Sequence, residues 1–228
     1  MPPVSIAAFL DNLFVKTVTT DPVYFFSVAF TVVVSVTLHE LGHAVAAIRQ
    51  GDDTPRLAGR LTLDPMKHMG PMSIVILLVA GIAWGSTPVN PAKFRSRYGD
   101  AIVSLAGPAV TVGLALIGLT ALGLWMRAAP TVASPAVGNL RIFLLVFGTT
   151  NILLCVFNLL PVPPLDGSHI VASFVPPFKR LLADPNNQGM FFVLLIALFF
   201  AAPHLWHAAD VVSIHYLGWV SGVPLGAG

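Results

Sequence analysis

The chain has 228 residues, one domain's length; 56% of them are hydrophobic, only 10% are charged, and the mean hydropathy is +0.83. Soluble domains carry about 25% charged residues, so a water-covered globule is excluded and an integral membrane protein is implied. The net charge of +2, with twelve Lys and Arg scattered between apolar runs, excludes the basic patch of a nucleic-acid binder.

The N-terminal stretch MPPVSIAAFLDNLFVK lacks the basic leader of a secretory signal. Its apolar residues Ile6, Phe9, Leu10, Leu13 and Phe14 fall at helical spacing, which predicts a short helix lying in the membrane interface. Spanning a bilayer takes about 20 mostly apolar residues. A first span is expected from about Val23 to Ile48. Residues 49–69 are polar and rich in Gly and Pro, and so form a loop or short strands. The next apolar run, Met72 to Trp84, has only 13 residues and reads either as a short span or as a re-entrant segment. Further spans are expected over about Ala101 to Met126, Ile142 to Leu160 and Met190 to Trp206. Gly107, Thr111 and Ala115, spaced four apart in the third run, would let a neighbouring helix approach closely.

The resulting expectation is an all-α polytopic membrane protein of about five apolar segments, within a range of four to six, one of them a candidate for re-entry. Its expected divisions are an interfacial segment over 1–21, a membrane-embedded core over 22–212 and a tail over 213–228. The lone Cys155 lies in an apolar run, so no disulfide within the chain is possible. With five spans the basic residues divide six against six between the two sides, and the positive-inside rule gives no orientation.

The first span ends in LHELGHAVAA. His39 and His43 are four apart, so on a helix both imidazoles share a face and can reach one metal ion. Glu40, the chain's one glutamate, is offset by about 100° in projection, beside the ion, where it can take a proton from a water held there. Zinc lowers the pKa of such a water to about 7. A charged side chain at mid-bilayer costs at least about 2.5 kcal/mol. Three ionisable residues within five positions therefore call for a shared purpose.

A catalytic zinc usually has three protein ligands. The other acidic residues are all aspartates, and most lie in polar loops. Asp166 differs, because it follows the fourth run inside NLLPVPPLDGSHI, where Pro161, Pro163 and Pro164 prevent a regular helix. Gly167 is expected to let the chain turn after the carboxylate. On chemistry alone Asp166 is either the third ligand or a plain turn aspartate.

HELGH on an apolar helix with NLLPVPPLDG far downstream resembles the site-2 protease family of intramembrane zinc metalloproteases. AGRLTLDPMKHMGP, TPVNPAKFR and SLAGPAV look like its compact bacterial and archaeal branch, so the resemblance covers about Pro22 to Val175. It implies that His39, His43 and Asp166 bind one Zn2+ per chain, that Glu40 is the catalytic base and that Asn158 supports the site. It also implies a multi-pass protein of a prokaryotic cell membrane. The expected substrates are transmembrane proteins, among them anti-sigma factors or membrane-tethered transcription factors, cut within or near a transmembrane helix. Where the family has Gly-x-x-x-Asn/Ser/Gly, this chain has Gly107 followed by Thr111. Gly70 stands where relatives often carry an acidic residue, and no PDZ-like or CBS-like module is visible.

Two rivals compete with this reading. His204, His207 and Asp210 recur every three residues near Trp206, with His215 beyond; they form an interfacial rim or a second metal site. His68 and His169 read as loop residues, His169 close to Asp166. The non-enzymatic alternative is a membrane metal transporter or silent adaptor, which would leave Glu40 without a task.

Overall fold

The computed structural model describes residues 13–128 and 134–223. These are mostly helical, with no strand among them. Most of the expected interfacial helix, residues 1–12, lies outside the described residues. Leu13 onward forms short turns over Phe14–Lys16 and Thr17–Thr20, and Phe14 stacks on Phe25 with ring centroids 4.8 Å apart.

Helix α1 covers Pro22–Arg49; the Asp21 side chain accepts from the Tyr24 amide at 3.0 Å and Pro22 occupies the first turn, both standard helix-start devices. After short turns over Thr54–Leu57 and Pro65–His68, α2 covers Gly70–Ala80 and stops at Gly81, whose φ of +74° closes the helix in a left-handed cap. Helix α3 (Gly99–Ala128) contains Pro108; α4 (Pro135–Asn158) is capped by the Ser134 side chain, which accepts from Val137. The prolines after Asn158 end that helix. There follow α5 (Asp166–Phe174), α6 (Pro176–Ala183) and α7 (Gln188–Ser221), which contains Pro203.

Among the described residues three helices are long and apolar enough to cross a bilayer: α1, α3 and α4. The stretch Pro176–Ala183 with Pro185–Leu198, bent by 79°, makes a fourth if it counts as one span. With that stretch counted, four segments cross, and the run at 72–84 is the fifth apolar segment, the candidate for re-entry, which does not. Helix α2 has 11 residues, only about 16 Å of rise against a hydrocarbon core of about 30 Å. The chain then doubles back: Trp84 exchanges hydrogen bonds with Ser73 Oγ, and the Ser86 amide donates to the His68 carbonyl at 3.1 Å. Residue 86 thus returns to the level of residue 68, so the run enters and leaves on one side.

Helix α3 is the centre of the bundle and packs against α1, α4, α5 and α7. Close approach depends on small residues, as expected for membrane helices. A Cβ at Gly148 of α4 would lie 2.4 Å from Leu119 Cγ of α3, and one at Gly118 would lie 2.8 Å from the Phe147 ring. Thr111 and Ala115 are buried. Val28, Val32 and Val36 of α1 pack with Met69, Leu77 and Val146 in the main apolar cluster. Phe26, Ile117, Phe192, Phe200 and Trp219 are more than half exposed, as lipid-facing side chains should be. The molecule is a multi-pass integral membrane protein.

Candidate metal centre

Two elements, α1 and α5, meet where the ionisable residues lie. His39, Glu40 and His43 are on the last third of α1 and all are buried. His43 is six residues, about 9 Å of rise, from the end of the helix at Arg49. Asp166 opens α5, brought alongside by the non-helical PVPP stretch. Its Oδ2 is 3.1 Å from His39 Nε2 and its Oδ1 is 3.3 Å from His43 Nε2, while the two Nε2 atoms are 2.9 Å apart. Among the described residues these three form the group of His, Cys, Asp and Glu able to hold a metal.

The donor set fits zinc. Ligand atoms about 2.0–2.2 Å from one tetrahedral ion lie about 3.3 Å from each other, close to the spacings observed. His43 Nδ1 sits 2.7 Å from the Val103 carbonyl, so it is the N–H donor and Nε2 offers its lone pair to the other donors. Asp166 Oδ2 is buried and no hydrogen bond satisfies it. An ionised carboxylate beside two imidazoles is the chemistry of a hydrolytic zinc site.

The backbone clears space for this set. A Cβ on Gly107 of α3 would lie 2.4 Å from His43 Nε2 and 2.5 Å from His39 Nε2. Pro108, next along, carries no N–H to bond the Ser104 carbonyl, which interrupts the helix ladder at the same level. Gly167 corrects an expectation: the chain does not turn there, since the residue lies within α5. A Cβ there would lie 2.1 Å from the Leu159 carbonyl oxygen, so glycine is required by close packing of α5 on the end of α4.

Glu40 is held by a residue that sequence reasoning did not single out. Thr87 Oγ lies 2.7 Å from Glu40 Oε2 and 3.0 Å from the Glu40 carbonyl. Thr87 belongs to the extended segment 82–90 that returns from α2. Gly85 on the same segment comes so near that a Cβ would be 2.6 Å from Glu40 Oε1. The far end of the segment is fixed by Asp52, fully buried, which accepts from the Asn90 amide at 2.6 Å and the Thr54 amide at 3.0 Å. Thr87 opens the TPVNPAKFR motif, but neither its contact with Glu40 nor that of the Val103 carbonyl with His43 can be read locally, because both join positions distant in sequence.

Donors, Glu40, the 82–90 segment and Asn158 line one cavity of ≈ 610 Å³, within the usual range for ligand sites. Asn158 Nδ2 bonds the Leu154 carbonyl in its own helix while the residue faces this cavity. The remaining histidines lie elsewhere or play other parts. His68 is buried, bonded through Nε2 to the Thr62 carbonyl, rather than a solvated loop residue. His204, His207 and Asp210 lie on α7 and do not gather into a metal-holding group.

The sequence matches Peptidase family M50 over residues 26–127 and 126–202. The chain belongs to that family. Among curated M50-like relatives, it is 39% identical over 168 residues to a Bacillus subtilis protein named "Putative zinc metalloprotease YwhC", covering 73% of this chain and 77% of the relative. It is 31% identical over 202 residues to "Putative zinc metalloprotease Rip2" of Mycolicibacterium smegmatis, covering 85% and 74%. The Mycobacterium tuberculosis protein of the same name is 33% identical over 197 residues, covering 82% and 72%. No solved structure matches. Membership in M50, the site-2 protease family, agrees with a compact membrane-embedded peptidase.

Proposed function

We propose that the chain is an intramembrane zinc metalloprotease that hydrolyses peptide bonds within or beside transmembrane helices of other membrane proteins. The observation that carries this reading is the convergence of His39, His43 and Asp166 beside Glu40 in one cavity between helices of membrane-crossing length.

His39 Nε2, His43 Nε2 and an Asp166 carboxylate oxygen would hold the zinc, which when bound supplies a Lewis acid and brings the pKa of water to about 7. Glu40 is the general base. Thr87 engages Oε2, which leaves Oε1 to take the proton from the attacking water and pass it to the departing amide nitrogen.

The substrate is a transmembrane protein, of the class that includes anti-sigma factors and membrane-tethered transcription factors. An intact helix has its carbonyls bonded along the axis, so residues that destabilise a helix are expected near the cut. Leu substituted at the scissile region should slow cleavage and Gly or Pro should speed it.

The test is cleavage of a transmembrane substrate by purified protein. Glu40→Gln is expected to abolish cleavage while zinc stays bound, and a chelator should abolish cleavage by the wild type. Unchanged cleavage by Glu40→Gln rejects the base assignment. Asp166→Asn should lower zinc content without unfolding the protein; undiminished zinc would mean a different third ligand.

A further inference from the structure

The cavity holds one histidine that neither the donor set nor the base accounts for. His169 lies on α5 three residues after Asp166, so the two share a helix face, with Cβ atoms about 5–6 Å apart. Its Nδ1 is 3.5 Å from Oδ2 of Asp100, in the first turn of α3. Both residues line the cavity that contains Glu40 and the three donors. The His169 side chain is 52% exposed and Asp100 33%, so the pair lies at the edge of that cavity rather than at its buried donor set. Among the described residues, no hydrogen bond engages His169 Nε2.

The first turns of α3 thus orient two different imidazoles. The Val103 carbonyl fixes His43 with Nε2 turned to the donor set. One turn earlier, Asp100 pairs with His169 Nδ1 at 3.5 Å, which leaves His169 Nε2 without a hydrogen-bond partner among the described residues. A half-exposed ion pair contributes only about 0–1 kcal/mol to stability, so the pair is a weak structural device.

We propose that His169 is a further catalytic residue, which Asp100 positions so that Nε2–H donates a hydrogen bond to the scissile carbonyl oxygen as that oxygen gains negative charge. This rests on the protease reading. A donor aimed at developing charge acts mainly in the transition state, where removing one typically costs about 10²–10³ in rate. Asp100 accepts from Nδ1–H of His169, which favours the doubly protonated ring that also carries Nε2–H and raises its pKa against the opposing effect of partial burial. The other groups acting on it are Asp166 of its own helix and His43 of α1.

The test compares wild type, His169→Ala, His169→Gln, Asp100→Asn and Glu40→Gln, all purified and zinc-loaded. It reads kcat and KM on a transmembrane peptide, zinc per chain, and direct binding of a labelled phosphinic peptide that mimics the tetrahedral state. In His169→Ala, kcat should fall by about 10²-fold with KM changed less than about twofold. Zinc should stay at one per chain, and the phosphinic peptide should bind more weakly by a comparable factor. His169→Gln, which keeps an N–H donor, should recover part of the rate, and Asp100→Asn should lose part of it. Wild-type kcat in His169→Ala overturns the proposal. So does loss of zinc in that variant, which would show an action through Asp166, or a change confined to KM. If wild type and Glu40→Gln cannot be told apart, the protease reading itself fails and takes this proposal with it.

Discussion

Gly107 sets the closest steric limit on the donor set. Its missing side chain leaves room that any Cβ would take from both imidazole nitrogens, at 2.4 and 2.5 Å. Gly107→Ala should therefore cut zinc content sharply and abolish cleavage while helicity by circular dichroism stays unchanged. Gly113 lies on the same helix, and a Cβ added there would meet nothing within 4 Å, so Gly113→Ala should leave zinc and activity as they are. Thr87 makes a different kind of contribution. A hydrogen bond to a charged group is worth about 1.5–3 kcal/mol, and only part of that bears on the reaction. Thr87→Val should slow kcat about tenfold with zinc retained, as steady-state kinetics and metal analysis together would show.

At the scale of elements, the returning segment 82–90 decides how Glu40 is presented, and it is tied at both ends. Ser73 and the His68 carbonyl hold one end, while Asp52 holds the other. Burial alone would raise the Asp52 carboxyl, but bonds from Thr54 and Asn90 and the nearby Lys93 outweigh it and hold the group below the usual carboxylate range. A carboxyl lowered in the folded state adds stability above its unfolded pKa, about 3.9, and loses it as pH falls through the folded value. Asp52→Asn should thus cost about 1–3 kcal/mol at pH 7. Thermal melts in detergent should show the gap to wild type narrowing below about pH 4. A gap independent of pH would mean that the loop is held by something other than the ionised carboxylate.

At the scale of the whole molecule, the re-entrant run regroups the charges. With 72–84 no longer crossing, Arg49, Arg56, Arg60, Lys67, Lys93, Arg95, Arg97, Lys179 and Arg180 share one side, nine in all, against Lys16, Arg127 and Arg141 on the other. The positive-inside rule then places the C-terminal end of α1, and the donor set near it, toward the cytoplasm. In a Cys155→Ser background, Thr54→Cys should be shielded from an impermeant thiol reagent in intact cells, and Ser134→Cys should react. The reverse pattern would invert the orientation.

Much of this can be read from residues in order. The membrane class follows from composition, because too few charges exist to coat a soluble surface. The pairing of His39 with His43, and the offset of Glu40, follow from helix periodicity, which needs no partner element. Asp166 stays open between ligand and turn residue on chemistry alone, since no local rule brings α5 back to the depth of α1. The 13-residue run is ambiguous for a related reason: an apolar segment of that length satisfies either path, and the short α2 with the Trp84–Ser73 and Ser86–His68 bonds distinguishes them. Thr87 on Glu40, Val103 on His43, Gly107 against both imidazoles and Asp100 on His169 are invisible in the sequence for the same cause. Helical spacing is a property of the chain itself, whereas closure of a site from four separated segments depends on how those segments pack, and packing exists only once the fold has formed.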